Sequence, residues 1–430
     1  MNAAQEINRA LADESPALAA ALSPLGRRTV YPKGIPFQAA QARGKAYNGT
    51  IGQITDGAGR AVPLPSLAAA FDGMSAAGRD RALLYSPIDG LAELRQAWQQ
   101  RQRREIDSSL PSSLPIMTLG LTHGLSLIAD LFGGEGRAVA VAEPFWGNYR
   151  QVFETRTGAR LVSAPAYREG RFDPLAPVRA LADLAPGEPA LAIVNFPSNP
   201  GGYSPRADER AALLAGLLEE AEKRPLVVLC DDAYAGLVYE EGVPTDSLFW
   251  SLIGCHRNLV PIKIDGATKE LSFFGGRVGF LTFPFAPDSP ATVALESKVK
   301  CLLRATVGAP VAASQVAVLE SLRSPAVETE VAAVRELLAG RYRVLAEALA
   351  ACDPARLRPL PFNSGCFALV ELPAGLDPEA LRRHLLAEHD TGLIAIRPRF
   401  LRLAHCSVAA EALPELVRRL EAGVADLLGS

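Results

Sequence analysis

Residues Pro261–Phe283 read PIKIDGATKELSFFGGRVGFLTF, so that two strongly apolar runs enclose a short polar segment. Lys269 follows the first apolar run, and Arg277 stands eight residues later, at the start of the second. Apolar runs of this length predict buried strands, which places the lysine at the end of a strand. Two interpretations are open from these residues alone. Lys269 is a surface lysine in a loop, as most lysines are, or it is an amine that reacts with a carbonyl group beside an anion-binding arginine.

The composition of the chain is that of a globular protein. The 430 residues are 49% hydrophobic and 21% charged, with a net charge of -3. The length suggests two or three domains, and the charge gives no reason to expect nucleic acid or an anionic membrane as a partner. No apolar run is long enough to cross a bilayer. The N-terminus carries acidic residues early and Arg27 and Arg28 follow its apolar stretch, whereas a secretory signal has its positive charge in front. The six cysteines show no C-x-x-C spacing and are expected to be reduced, so we expect a cytoplasmic protein.

The histidines show no metal-ligand motif. His384 and His389 are five residues apart in a helical pattern, which is expected to place them on different faces of the helix. No H-E-x-x-H sequence occurs. We therefore expect no metal site.

Seven short apolar runs between about Leu114 and Phe283 alternate with helical patterns. Strands that are apolar throughout predict a mainly parallel sheet covered by helices, and hence an α/β fold. The segment after about Val331 has a long helix and shorter strands, and predicts a smaller α+β lobe. No G-x-G-x-x-G follows a strand, so the fingerprint of a dinucleotide-binding fold is missing. The seven runs are PIMTLG, GRAVAVAEP, ARLVSAPA, PALAIVNFP, RPLVVLCDD, NLVPIKID and RVGFLTFP.

Polar and aromatic residues stand just past the ends of these predicted strands, where parallel sheets bind their ligands. Each alone is weak evidence, since an aspartate after a strand is most often a turn former. Together they supply an amine, a carboxylate, a flat aromatic ring, phenol and amide donors and a helix start that suits an anion. That set suits a pyridine ring that bears an aldehyde, a hydroxyl and a phosphate. The residues are Thr122, Trp146, Tyr149, Asn199, Asp231, Tyr234 and Lys269, with Arg277 beyond.

Five segments resemble motifs of one enzyme family in the same order and at similar spacing. The chain is similar to the class I/II aminotransferases, which are fold-type I pyridoxal-phosphate (PLP) enzymes, and the resemblance runs from YNGTIGQ to RLAHC. It implies a large PLP-binding domain with a mainly parallel sheet and a smaller α+β domain. The five segments are YSPIDGLAELR, PFWGNYR, NFPSNPGGYSP, DDAYAGLVY and ATKELSFFGGRVGF.

The resemblance implies a role for each residue around the pyridine ring. Lys269 would form the Schiff base with the cofactor and then move a proton between the substrate Cα and the cofactor C4′. Asp231 would pair with the ring nitrogen and keep it protonated. Tyr234 and Asn199 would hydrogen-bond the ring hydroxyl, and Trp146 would stack on the ring. The competing interpretation of Trp146 is a core tryptophan.

The resemblance also implies a phosphate site at a helix start. The backbone N–H groups of Leu121 and Thr122 would bind the phosphate, aided by the Thr122 hydroxyl. Arg277 would pair with it through two hydrogen bonds. Tyr85 would reach it from the neighbouring subunit, which implies a homodimer with shared active sites.

Two positions in this site depart from the family. The family's N-P-T-G reads Asn199–Gly202 here, which is a minor change. Three residues before the lysine the family usually has a serine that contacts the phosphate, and here Gly266 stands there. We expect the hydroxyl of Thr268 to compensate in part.

Substrate recognition is implied at the far end of the site. Arg402 matches the arginine that binds the substrate α-carboxylate, with Asn199 also beside it, and Gly52 would border the pocket. Arg304 has the spacing of an arginine that reads a second, distal carboxylate across the dimer interface. The polar residues that usually follow it are replaced by Val307–Ala309, so a surface arginine is the competing interpretation.

The leading functional hypothesis is transamination between an L-amino acid and a 2-oxo acid. The alternative is a PLP-dependent elimination or replacement at Cβ or Cγ, because one scaffold hosts both reactions. A non-enzymatic regulator is a third reading, which the presence of Lys269 disfavours. We expect residues 1–61 to form an N-terminal arm and part of the small domain, residues 62–325 the large domain, and residues 326–430 the small C-terminal domain.

Overall fold

The computed structural model describes residues 3–32, 34–104, 106–107 and 109–429. Their strands are, in chain order, β1 (Tyr47–Asn48), β2 (Ile116–Leu119), β3 (Ala138–Glu143), β4 (Arg160–Pro165), β5 (Tyr167–Arg168), β6 (Arg171–Phe172), β7 (Ala190–Asn195), β8 (Leu226–Asp231), β9 (Leu259–Asp265), β10 (Val278–Thr282), β11 (Arg358–Pro359), β12 (Phe367–Glu371), β13 (Thr391–Gly392), β14 (Ile394–Ile396) and β15 (Phe400–Ala404).

The helices lie before, between and after these strands. They are α1 (Ala3–Glu14), α2 (Pro16–Ala21), α3 (Pro24–Arg28), α4 (Ile35–Gln41), α5 (Pro65–Asp72), α6 (Ala76–Leu83), α7 (Ala92–Gln102), α8 (Gly120–Phe132), α9 (Ala176–Arg179), α10 (Ala207–Lys223), α11 (Leu248–Leu252), α12 (Ala267–Glu270), α13 (Pro290–Thr306), α14 (Ala312–Arg323), α15 (Val327–Ala350), α16 (Pro378–Glu388) and α17 (Leu413–Leu428). A π-helix spans Arg150–Thr155, and short 3-10 helices occupy Phe274–Gly276, His405–Ser407 and Ala410–Ala412.

The large lobe is built on one seven-stranded sheet in the order β2-β10-β9-β8-β7-β3-β4. All seven apolar runs that the sequence analysis identified are strands of this sheet, which confirms the predicted α/β fold. Both faces of the sheet are covered, because successive residues of one strand belong to different hydrophobic clusters. Leu229 of β8 packs in one cluster, whereas Val228 and Cys230 pack in the other. This burial on both faces explains why the strands are apolar throughout rather than alternating.

Strand β10 is the one reversed strand of the sheet. It pairs antiparallel with β2, where Val278 lies opposite Leu119, and antiparallel with β9, where Phe280 lies opposite Asp265. The other neighbouring pairs are parallel. The start of β10 therefore lies at the same edge as the carboxyl ends of its neighbours.

The smaller lobe is an antiparallel sheet, β11-β12-β15-β14, with a core shared by α15, α16 and α17. This confirms the predicted α+β lobe. The N-terminal segment joins it, because β1 pairs with β13 and the backbone N–H of Thr55 donates to Cys406 O at 3.2 Å. Within the described residues, none of the helices combines the length and apolar character that crossing a bilayer requires.

The expectation that His384 and His389 lie on different faces of a helix was wrong. Helix α16 ends at Glu388, and His389 is its C-cap residue with φ −114° and ψ 7°. The chain leaves helical geometry at that residue, so the helical spacing rule no longer applies to it. The two imidazole rings lie with their centroids 5.3 Å apart.

Candidate active site

A cavity of about 460 Å³ lies where the carboxyl edge of the large sheet faces the small lobe. Strands β8 and β9 end at this edge and reversed β10 begins at it, so residues far apart in sequence meet there. The predicted site residues that line the cavity are Gly52, Leu121, Thr122, Trp146, Asn199, Asp231, Tyr234, Thr268, Lys269, Arg277 and Arg402.

Lys269 lies on the short helix α12, which begins directly after β9. Its side chain borders the cavity, and Nζ lies 4.9 Å from the centroid of the Tyr234 ring. Burial lowers the pKa of the Lys269 amine and Arg277 lowers it further, while Asp231 acts in the opposite direction. A lowered pKa raises the fraction of neutral amine, which is the nucleophilic form.

Asp231 is the last residue of β8, and only 3% of it is exposed. The Tyr149 hydroxyl donates to its Oδ2 at 2.6 Å, and the Ala233 N–H donates to Oδ1 at 3.3 Å. Burial raises the pKa of the Asp231 carboxyl to about 6, although Tyr149 and Lys269 act to lower it. The sequence analysis placed Tyr149 among the residues past the strand ends but gave it no individual role. The sequence feature that points to a site role for this tyrosine is its position three residues after Trp146, in the same PFWGNYR segment.

Arg402 comes from β15 of the small lobe, so the two lobes meet at the cavity. Its Nη1 donates to Asn199 Oδ1 at 3.3 Å, and its Nη2 donates to the backbone oxygen of Thr50 at 2.8 Å. Asn199 Nδ2 in turn donates to the Tyr234 hydroxyl at 3.4 Å. The guanidinium lies 4.2 Å from the centroid of the Phe367 ring. Burial lowers the pKa of Arg402 to about 10, so the group stays cationic at neutral pH.

The other end of the cavity is built around Arg277. This residue is left-handed, with φ 53° and ψ 49°, a conformation that costs a non-glycine residue energy and is concentrated at functional sites. A Cβ atom at Gly120 would lie 2.5 Å from Arg277 Nη2, and one at Gly279 would lie 2.6 Å from the carbonyl carbon of Gly120. The two glycines therefore let the guanidinium and β10 approach the start of α8.

Two further groups at this end suit an anion. The first N–H groups of α8, including those of Leu121 and Thr122, have no partner within the helix. The Thr268 hydroxyl is buried and finds no hydrogen-bond partner among the described residues. Gly266, in contrast, has no room for a side chain, because a Cβ atom there would lie 2.4 Å from Val278 O.

Two predicted site residues lie outside the cavity of their own chain. Tyr85 is 98% exposed, and Arg304 is exposed in the last turn of α13. Their segments lie side by side, because the Ser86 hydroxyl donates to Pro310 O at 2.8 Å. Thr306 also contacts His123 near the start of α8, with Nε2 and Oγ1 3.2 Å apart.

An apolar wall of the cavity was not predicted. Ile35, Pro36 and Ala39 of the N-terminal segment line it together with Ile51 and Phe367. Helix α4 is short and far from the motifs in sequence, and no pattern in it points to a site. Only the tertiary structure places it there.

A second cavity, of about 410 Å³, contains a charged cluster on the other side of β8 and β9. Lys263 pairs there with Asp232 and with Asp265, the latter at 3.1 Å. Trp98 Nε1 donates to Asp265 Oδ1 at 3.0 Å. Lys269 and Asp231 do not line this cavity, so we assign the chemistry to the first one.

Comparison with known proteins supports this assignment. The family described as Aminotransferase class I and II matches residues 48–420. An arginine–pyruvate transaminase of Pseudomonas aeruginosa is 30% identical over 375 residues, which cover 85% of this chain and 88% of that protein. A 2-aminoadipate transaminase of Thermus thermophilus is 28% identical over 387 residues, with 85% of this chain and 89% of that protein covered.

Solved structures agree on the fold. An aminotransferase from Anaerococcus prevotii superposes with a TM-score of 0.79 at 20% identity, and covers 92% of this chain and 98% of its own. The α-aminoadipate aminotransferase of Thermus thermophilus, complexed with N-(5'-phosphopyridoxyl)-L-leucine, gives a TM-score of 0.75 at 24% identity, with 96% and 99% covered. At these identities the likeness shows the fold alone. With the family match and the convergence of Lys269, Asp231 and Arg402 on one cavity, it follows that the chain belongs to the class I and II aminotransferases and is a PLP-dependent transaminase, which transfers an amino group between an amino acid and a 2-oxo acid.

Proposed function

We propose that Lys269 is the residue that holds PLP covalently and moves the proton during transamination. The observation that carries this proposal is the convergence of one lysine, one buried carboxylate and two arginines on a single cavity of about 460 Å³. When bound, PLP supplies a carbonyl that takes up the amino group and a protonated ring that accepts electron density from the substrate Cα. The roles below belong to this chain's own residues.

The phosphate group fits the end of the cavity at α8. Three kinds of donor are available to it: the backbone N–H groups of Leu121 and Thr122, the partnerless Thr268 hydroxyl and the guanidinium of Arg277. A hydroxyl buried without a hydrogen bond is unfavourable in the free protein, and a phosphate oxygen would satisfy it. Thr268 would then supply the contact that Gly266 cannot.

The pyridine ring fits between this end and Arg402. The Asp231 carboxylate would accept a hydrogen bond from the protonated ring nitrogen in a strong ion pair and so keep that nitrogen protonated, because the carboxyl is buried and held by Tyr149. Asn199 and Tyr234 would donate to the ring hydroxyl, and Trp146 would cover one face of the ring.

Lys269 and Arg402 would have different roles toward the amino acid substrate. Arg402 would hold the α-carboxylate with its two Nη groups, which orients the Cα–H bond toward Lys269. Lys269 Nζ would take the proton from Cα and deliver it to C4′ of the cofactor. The lowered pKa of Lys269 suits this role, because the amine must both accept and release a proton near neutral pH.

This proposal is tested by borohydride reduction of the holoenzyme followed by peptide mapping. We expect the cofactor on the peptide that contains Lys269, and loss of the visible absorption band in Lys269→Ala. Lys298→Ala, which removes an exposed lysine from α13, is the control and should behave as wild type. Full turnover in Lys269→Ala would refute the role.

A half-reaction tests the type of chemistry. Stoichiometric holoenzyme is mixed with each of a panel of amino acids, and the products are quantified. We expect one equivalent of 2-oxo acid per active site, with the nitrogen retained on the cofactor. Release of ammonia or of a side-chain leaving group would instead indicate elimination or replacement.

We further propose a homodimer in which Tyr85 and Arg304 enter the partner's cavity. Both residues are exposed on neighbouring surface segments, and Tyr85 would then add a phosphate contact. Co-expression of Lys269→Ala chains with Arg304→Leu chains tests whether each subunit contributes Arg304 to the active site of its partner. Half of the dimers are then mixed and carry one intact site, so activity should recover to about a quarter of wild type. No recovery above that of the separate variants would exclude a shared site.

The role of Arg304 in substrate choice is a separate proposal. A guanidinium pairs well with a distal carboxylate, so Arg304→Leu should lower kcat/KM for glutamate more than kcat/KM for alanine. Equal losses on both substrates would remove Arg304 from substrate recognition. We also propose a cytoplasmic location, because all six cysteines are free thiols, as is usual in a reducing compartment.

A further inference from the structure

Two histidines and one aspartate meet on the outer side of the small lobe. His384 lies on α16, His389 directly follows that helix, and Asp426 lies on α17. One ligand atom from each lies within 4.8 Å of the other two. Among the described residues, no other group of three or more histidine, cysteine, aspartate or glutamate side chains converges in this way.

The three side chains already point at one place. Nε2 of His384 lies 2.9 Å from Asp426 Oδ2, and Nε2 of His389 lies 2.7 Å from the same oxygen. A tetrahedral zinc ion, with ligands at about 2.0–2.1 Å, keeps its ligand atoms about 3.3 Å apart. An outward shift of about half an ångström would therefore open the cluster to a metal ion, which side-chain rotation can supply.

The backbone around His389 is fixed by groups that do not belong to the cluster. Arg419 Nη1 and Thr391 Oγ1 both donate to His389 O, at 2.6 and 2.8 Å. Gly423 on α17 provides the space beside the ring, because a Cβ atom there would lie 3.5 Å from His389 Cδ2 and 2.6 Å from Leu385 Cδ2. The imidazole is thus held against α17 before any ligand arrives, which reduces the entropy lost on binding.

We propose that His384, His389 and Asp426 bind one divalent transition-metal ion, with zinc as the best match. Two imidazoles and one carboxylate suit zinc and its neighbours, whereas magnesium and calcium prefer oxygen ligands alone. Three protein ligands leave one position for water. None of the three residues lines the active-site cavity, so the ion joins α16 to α17 and stabilises the small lobe without entering the reaction.

The test uses tag-free holoenzyme stripped with a chelator and then titrated with Zn²⁺ in competition with a chromophoric indicator. We expect one equivalent in wild type, and at least a tenfold weaker dissociation constant in both His389→Ala and Asp426→Asn. Zn²⁺ should raise the midpoint of thermal unfolding in wild type and not in these variants. Their transaminase activity should equal that of wild type.

His256→Ala is the matched control. His256 contacts a single carboxylate, with Nε2 3.3 Å from Glu222, and its loss should leave the zinc equivalent in place. Asp426→Asn keeps the shape of the aspartate, so it remains informative if His389→Ala folds poorly. Equal zinc binding in wild type and Asp426→Asn would place the ion elsewhere, for example at the exposed Cys255 or Cys301, and would overturn the proposal. The absence of any tight equivalent in wild type would overturn it as well.

Discussion

The carboxyl group of Asp231 is buried beside the hydroxyl of Tyr149, and burial raises its pKa to about 6. In the unfolded chain an aspartate has a pKa of about 3.9. Between pH 4 and pH 6 the folded protein therefore binds more protons than the unfolded chain, so its stability falls as pH rises through this window. The difference of about two units corresponds to roughly 3 kcal/mol at neutral pH. The cofactor-free protein keeps this unfavourable charge, which a cationic ring nitrogen would neutralise.

We predict that Asp231→Asn stabilises the cofactor-free protein and abolishes most activity. The free energy of unfolding at pH 7 should rise by about 1–3 kcal/mol, and its dependence on pH between 4 and 6 should become weaker. Turnover should fall by at least a hundredfold, because nothing then holds the ring nitrogen protonated. Urea unfolding at several pH values and steady-state kinetics measure both effects.

The adjacent carboxylate is the control. Asp232→Asn leaves Lys263 with one partner fewer and should destabilise the same protein. A loss of stability in Asp231→Asn as large as that in Asp232→Asn would contradict the account of Asp231.

Gly266 carries a second prediction. The family's serine cannot simply be restored there, because a side chain would approach Val278 O to 2.4 Å and the Cα of Gly279 to 2.7 Å. Gly266→Ser should cost about 1–3 kcal/mol of stability and should not tighten cofactor binding. Gly275→Ser, at a position with open space around it, is the control for denaturation and cofactor titration. Tighter binding at unchanged stability would show that the serine fits.

At the scale of the element, β8 and β9 carry different chemistry on their two sides. Asp231 faces the active-site cavity, whereas Asp232, Lys263 and Asp265 face the charged cavity behind it. Burial acts to lower the pKa of Lys263, but the two carboxylates outweigh it and raise the pKa. The ion cluster therefore joins two neighbouring strands directly behind the catalytic edge.

We predict that Lys263→Met is strongly destabilising. It leaves two buried carboxylates without their cation, which typically costs 3–5 kcal/mol. Urea unfolding of the holoenzyme measures the loss, and the triple variant Lys263→Met, Asp232→Asn, Asp265→Asn should recover much of it. A loss below about 1 kcal/mol would mean that the pairing contributes little.

The sequence predicted some elements of the structure and not others. The central strands of the large sheet were predictable because burial on both faces makes them apolar runs, as in LVVLC before Asp231. The apolar cavity wall that α4 contributes was not predictable, because contacts between distant segments leave no local pattern in the sequence. His389 was misplaced because helix ends are the least regular part of a helix. The domain boundaries predicted near residues 61 and 325 stay a prediction. Helix α15 contacts the N-terminal segment, because Arg341 Nη2 donates to Thr55 O at 2.7 Å.

At the scale of the whole molecule, exposed apolar side chains lie next to Tyr85 in the chain. Leu83 is 85% exposed and Leu84 is 69% exposed, and Val311, which follows Pro310 beside Ser86, is also exposed. Exposed apolar surface of this kind commonly marks an interface. It therefore fits the face on which the proposed homodimer forms.

We predict that Leu84→Asp separates the subunits. A charge at the centre of an apolar interface is unfavourable, so sedimentation velocity at micromolar concentration should show monomers of the variant and, if the proposed homodimer forms, dimers of wild type. Cofactor affinity should fall together with the dimer, since Tyr85 would be withdrawn. Leu337→Asp, at an exposed leucine of α15, should change neither property. An unchanged dimer in Leu84→Asp would move the interface elsewhere.

The reversal of β10 has a consequence for the order in which the chain folds. Strand β2 lies at the edge of the sheet and pairs only with β10 there, although Leu119 and Val278 are roughly 160 positions apart in the chain. During synthesis on the ribosome, β2 cannot pair within the sheet, and the start of α8 cannot contact β10, until β10 has emerged. Lys269 is synthesised before that moment, but the cleft beside Arg277 does not yet exist. Capture of the cofactor should thus require the pairing of β10, and a nascent chain that ends before residue 278 should hold none.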